Sequence, residues 1–263
     1  MAALQSPSAR FARVLRGALG FSLFAVGCSS GHLSVGDNRS VQDAATPDAM
    51  PPDAASGGAG GETNLEPSAS TLLPLLAACT TQVSQGLLAP RPGHAADVPV
   101  CALSNALFWK SELAVDCDGK QTTTCNSKKD PQYQNSTVGK DSAGNSLDAS
   151  VVAYVEVPVK NAVFDYAAAG LSMGSVVAVI YNGQLAYGVV GHEQDAGQIG
   201  AGSVALATRL GIDPNPVTGG LEAEVVSYIA FTGAGNVVGA LEDDAATTAL
   251  AKAAAQALLK TGH

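Results

Sequence analysis

The sequence predicts a mainly β protein, a small closed barrel with a short helix embedded in it and a longer helix at the C-terminal end. Three observations carry this expectation. Short β-branched runs such as "VVAYVEV" (151–157) and "EVVSYIAF" (224–231) are separated by Gly, Pro and Asn signals. Two further runs, in "SVVAVIYNGQLAYGVVG", flank Asn182-Gly183. Only one short helical stretch lies among these strands, which favours closure of a barrel over a parallel α/β sheet.

The chain opens with "MAALQSPSARFARVLRGALGFSLFAVGC". Arg10, Arg13 and Arg16 precede the apolar segment Ala18–Val26 and then Gly27-Cys28, the order of a secretory signal over residues 1–27. That segment is too short to span a bilayer. Cys28 stands where a bacterial lipobox places its lipidated residue, although Phe24 and Val26 depart from the usual pattern; cleavage elsewhere would leave Cys28 free. Residues 28–70 repeat Pro-Asp-Ala, are rich in Gly and Ser and have few large apolar residues, so they predict a flexible tether. The expected product is an exported protein, either a cell-envelope lipoprotein or a secreted one, that meets a membrane only through its lipid. Residues 71–263 remain for one folded domain.

All 23 acidic residues follow Cys28, whereas three of the 14 basic ones leave with the signal, so the mature chain carries a net charge of −12. That sign argues against nucleic acid and is compatible with a cationic ligand. Cys79, Cys101, Cys117 and Cys125 are an even set in an exported domain and predict two disulfides. Spacing permits three connectivities; the favoured one closes two local loops, Cys79–Cys101 and Cys117–Cys125. A metal site is disfavoured because no CxxC pair is present and the nearest His is His94. Nothing in the sequence calls for a cofactor.

Within the domain, Leu72–Ala78 and Thr80–Leu88 read as a helix. The run at 151–157 alternates and ends at Pro158, which leaves Glu156 facing solvent, with a new catalytic acid as the alternative reading. Asn182-Gly183 suits both left-handed positions of a type I′ turn and predicts a tight hairpin. Its second strand runs into "VVGHEQDAGQIGAGSVALA" (189–207), where Gly191, Gly197, Gly200 and Gly202 predict a bent, closely packed loop of the kind that often carries chemistry. Ser203 is placed to cap a short helix that Gly211 closes, and Ile212–Gly220 is a turn-rich connection. "LEDDAATTALAKAAAQALLK" is Ala-rich, with acids in its first turn and Lys260 in its last, and predicts the final helix.

"LAVDCDG" (113–119), "VVAYVEVP", the hairpin and "YGVVG…IGAGSVALATRLGI…NP…GG" occur in the order seen in the fungal-type chitosanases, glycoside hydrolase family 75, and the resemblance runs from about Cys79 to Phe231. The same strand–loop–helix pattern is similar to double-psi β-barrels. The resemblance implies a hydrolase of β-1,4-linked glucosamine chains whose partner is a cationic polysaccharide such as chitosan. The family's loop reads Gly-Asp-x-Gly-Pro, four residues, then Gly-Glu-[Ala/Gly]-Ser. Its Asp and Glu are the pair glycoside hydrolysis needs, one to protonate the leaving oxygen and one to assist water. Laid on this chain without a gap, the Asp falls on His192 and the Glu on Ala201, while Gly191, Gly200, Gly202 and Ser203 are kept. The expectation is a site whose hydrolysis is weak or lost, or a non-catalytic carbohydrate-binding or structural lipoprotein.

His192 is a candidate base near neutral pH. Glu193 and Asp195 are the nearby carboxylates that would replace the lost pair, although Glu193 should point away from the side His192 faces. The resemblance places Asp116 and Asp118 near the cleft as binders of substrate amines; they serve equally well as builders of the turn that Gly119 completes. Trp109 is either a platform for a sugar ring or a core residue.

Overall fold

A computed structural model describes residues 65–261. The predicted signal, Cys28 and nearly all of the tether lie outside the described residues. Ser68 caps the first helix, α1 (Ala69–Leu72), in a reciprocal arrangement with Thr71, and a 3₁₀ turn at Leu73–Leu76 continues it. The strands follow as β1 (Cys101–Ala102), β2 (Ala106–Asp116), β3 (Tyr154–Pro158), β4 (Val176–Tyr181), β5 (Gln184–Gln194) and β6 (Ala201–Ser203). Helix α2 (Val204–Arg209), strand β7 (Leu221–Phe231) and helix α3 (Asp244–Thr261) complete the described chain.

Six strands form the expected closed barrel, in the order β2-β6-β3-β5-β4-β7, with β7 pairing back onto β2 and β1 added along β2. The β2–β6 and β3–β5 pairs are parallel, and the other barrel pairs are antiparallel. Val155, Val157, Val177, Val179, Leu206 and Ile229 are buried in one continuous core with Trp109 and Phe231. Helix α3 buries Ala251, Ala255, Leu258 and Leu259.

The local expectations hold where chemistry within a few residues decides the structure. Asn182 and Gly183 take φ of 46° and 76°, and β4 and β5 pair from Tyr181↔Gln184 outward. Ser203 Oγ accepts the Leu206 N–H, capping α2. The disulfides Cys79–Cys101 and Cys117–Cys125 form as expected.

Residues 80–88 are not a helix. The Cys79–Cys101 bridge draws this stretch alongside 98–102. There Gln82 bridges Cys101, Leu88 bridges Val98 and the Val83 N–H donates to Val100 O. Pro74 also sits in the 3₁₀ turn, where a longer helix from the domain start would have had to continue.

Glu156 does not face solvent. It lies opposite in alternation to Val155 and Val157, as the sequence predicts, but the segment 117–150 folds across that side of the sheet. Tyr154 Oη donates to Asp118 O, and the Val138 N–H donates to the ring of His192. Glu156 is left 3% exposed.

Candidate active site

The glycine loop is shaped by close approach. Val155 pairs with Val190 and Glu156 with His192, so Gly191 is the extra residue of a bulge. A Cβ there would stand 2.5 Å from Tyr154 Cβ. Gly200, at φ 144°, would place a Cβ 2.4 Å from Ser111 Oγ. Side chains are thus excluded on both sides of the loop.

The register sets out what the loop holds. His192 on β5 is the partner of Glu156 on β3. Val155 faces Gly202 across the antiparallel β3–β6 pair, so Glu156, one residue on, comes level with Ala201. Glu156 therefore stands on the strand between His192 and Ala201. Ala201 itself is buried and pairs with Ala114 of β2.

Two residues beyond Ala114, β2 ends at Asp116, which is half-buried. Its Oδ1 accepts the Asp118 N–H at 2.7 Å, the local turn that Gly119 completes at φ 116°. Asp118 is buried; one carboxylate oxygen accepts the Gln134 N–H and the other faces His192 Nε2 at 3.5 Å. Because His192 Nδ1 accepts the Val138 N–H at 3.1 Å, the ring proton of the neutral imidazole sits on Nε2. In this arrangement neither ring nitrogen offers a free lone pair. Asp130, also buried, enters from the covering segment and accepts the Gln132 N–H at 2.8 Å. The Cys117–Cys125 bridge closes the loop between these acids.

This gathering of acids is electrostatically unusual. Burial raises the Glu156 carboxyl well above the ordinary carboxylate range, and the charges of Asp116, Asp118 and Asp130 push it the same way. Asp116 is also raised, first by burial and then by Asp118, against the opposing effect of a hydrogen bond from Glu156. Among the described residues, no three His, Cys, Asp or Glu side chains converge as metal ligands.

The other sequence candidates lie apart from this cluster. Glu193 pairs with Val157 and accepts the Tyr166 hydroxyl at 2.7 Å. That contact, after burial, helps push the phenol up to about 12. Asp195 is exposed in the turn closed by Gln198 N–H to Asp195 O. Trp109 is buried in the core, stacked on Tyr228 with ring centroids 5.1 Å apart. A surface cavity of about 360 Å³, lined by Val83, Gln85, Phe164 and Asp165 among others, contains none of the candidates. Asp130 was not among the sequence candidates, whereas Glu156 was expected to face solvent with a new catalytic acid as the alternative reading. An acid within the apolar run of β3 was the one signal available for Glu156.

A family model described as the fungal chitosanase of glycosyl hydrolase group 75 matches residues 113–261, more than half of the chain. The match begins at Leu113 on β2, later than the resemblance read from the sequence, and continues through α3 beyond Phe231. No curated protein matches the chain.

Proposed function

Since the chain belongs to the group 75 chitosanase family, we propose that it is an exported, Cys28-anchored domain that binds β-1,4-glucosamine polysaccharide and hydrolyses it only weakly. The family implies a polysaccharide substrate such as chitosan, and the two disulfides are consistent with export. The observation that carries the weak-hydrolysis reading is the content of the loop. Its glycine scaffold is retained, while the two positions where the family has carboxylates hold His192 and Ala201. Ala201 has no proton to give, and the hydrogen bonding of His192 leaves it no lone pair for water. General acid or base catalysis supplies roughly 10²–10⁴-fold per group, so losing both roles at these positions removes most of the rate.

Acidic groups and a net charge of −12 after signal removal suit attraction to a polycation, which salt should weaken. The test is to incubate the purified protein with chitosan and measure binding and new reducing ends together. Binding with slow release of ends is expected, and His192→Asp combined with Ala201→Glu should raise the rate above either change alone. Fast hydrolysis by the unaltered protein would overturn the reading. Cys28 is checked separately by detergent partitioning, where a wholly aqueous protein would refute the anchor.

A further inference from the structure

We propose that Asp116 and Glu156 form a carboxyl pair sharing one proton, and that this pair is the site's proton donor, with Asp116 presenting the proton to the glycosidic oxygen and Glu156 holding it from behind. The proposal rests on the chitosan reading above and adds the residues that do the residual chemistry.

Three observations converge on the pair. Position comes first: Glu156 occupies the strand between β5 and β6, level with both His192 and Ala201. An acid absent from the two loop positions is therefore present between them. The second is an unmet need, because Glu156 is 3% exposed and its Oε1 finds no hydrogen-bond donor. Strand β6 brings another acid beside it: Asp116 pairs with Ser203 and Val155 with Gly202, so Asp116 and Glu156 flank β6 and each perturbs the other's titration. Two neighbouring carboxylates, one of them buried without a donor for its Oε1, resist ionising together, and a shared proton resolves the conflict.

The third observation is the surroundings. Asp118 and Asp130 from the covering segment, His192 from β5 and Tyr154 on β3 surround the pair, with no Lys or Arg among them. With no metal-ligand geometry among these residues either, the proton is the natural counter-charge. Asp116 is the half-buried member at a strand end, so it is the one a sugar chain can meet. Glu156 acts through it and is a positioning residue.

The step balances as hydrolysis. The bond between the anomeric carbon and the glycosidic oxygen breaks, its electron pair goes to the leaving oxygen, and that oxygen takes the proton of the pair. Water adds to the anomeric carbon and releases its own proton to solvent, from which the pair is recharged. Attack by water with no assisting base accounts for weak turnover.

The experiment compares the full-length protein with its Glu156→Gln and Asp116→Asn variants on chitosan oligosaccharides. Release of reducing ends is followed from about pH 4 to pH 8, spanning ordinary and raised carboxyl values. Binding and the infrared stretch of a protonated carboxyl at neutral pH are measured alongside. The unaltered protein should retain slow hydrolysis above the ordinary carboxylate range and show the protonated band. Glu156→Gln should keep binding, lose the band, move the upper limb of the pH profile to lower pH and cut the neutral-pH rate about 10²-fold. Asp116→Asn should remove hydrolysis at every pH.

An unchanged profile in Glu156→Gln, or no protonated band in the unaltered protein, overturns the proposal. Binding without any hydrolysis overturns the donor role and leaves the chitosan reading standing. Absence of both binding and hydrolysis overturns the chitosan reading and the donor role with it.

Discussion

Two glutamates of this barrel are equally buried and have opposite company. Glu112 on β2 and Glu156 on β3 are each 3% exposed. Glu112 sits at an irregularity in the β2–β7 pairing between Ser111 and Leu113, and Arg91 and His94 both close on its carboxylate. Arg91 also donates to Leu221 O at 2.6 Å, tying the pair to β7. Glu156 meets Asp116, Asp118 and Asp130. Burial alone therefore does not decide what a carboxyl does. Arg91 and His94 hold Glu112 as a fastener, whereas acids make Glu156 a holder of protons.

Glu112→Gln leaves Arg91 facing a neutral side chain inside the protein, and stability should fall by about 3 kcal/mol or more. Chemical denaturation would show this as a lower midpoint. An unchanged midpoint would mean that Glu112 is no better supported than Glu156.

A somewhat smaller loss is expected when the cover over Glu156 is untied. Replacing Cys117 and Cys125 with Ser opens a short local loop, costing about 2–3 kcal/mol by loop-closure entropy. It should also admit water to the acids, so the dependence of stability on pH should flatten. A full loss of stability with the pH slope intact would show that the segment 117–150 does not rely on this bridge to shield the cluster.

The smallest effect has the opposite sign. Glu156 is raised in the folded protein, so the native state binds more protons than the unfolded chain above the ordinary carboxylate range. Stability from this group is present at low pH and declines as pH rises from the ordinary value through the raised one. Glu156→Gln fixes the neutral form and should stabilise the protein near neutral pH, with the advantage vanishing at low pH. Each kcal/mol corresponds to about 2–4 °C in Tm for a domain of this size. A variant less stable than the parent at neutral pH would show that the acid is retained for packing.

Much of the fold was legible because it is encoded over short distances. Asn182-Gly183, the Ser203 cap and the Ala-rich run of α3 each act within a few residues. Strand β2 was harder to read. Its run "ALFWKSELAVD" carries Lys110, Glu112 and Asp116 at even positions and is broken by the irregularity after Ser111. The stretch 80–88 was misread because a bridge to Cys101 outweighs local helical preference. Alternation in β3 correctly assigned the face of Glu156, but a period of two says nothing about what covers that face. The candidate site itself joins Asp116, Asp118, Asp130, Glu156 and His192 through parallel register and an overlying segment. Neither leaves a mark in any single window of sequence.

Strand β7 has a further consequence, for how the chain reaches this state. It pairs with β2 on one edge, from Ala106↔Phe231 to Ser111↔Val226, and with β4 on the other, from Val177↔Ala230 to Ile180↔Ser227. Until β7 arrives, both partners present open strand edges, the condition in which chains pair with one another instead of with themselves. The hairpin of β4 and β5 can form in microseconds, but seating β7 on β2 closes a loop of more than a hundred residues and belongs to the slow, non-local part of folding. A nascent chain that has not yet delivered residues 221–231 is therefore at its most adhesive. The last barrel strand to emerge converts an aggregation-prone sheet into a ring without edges.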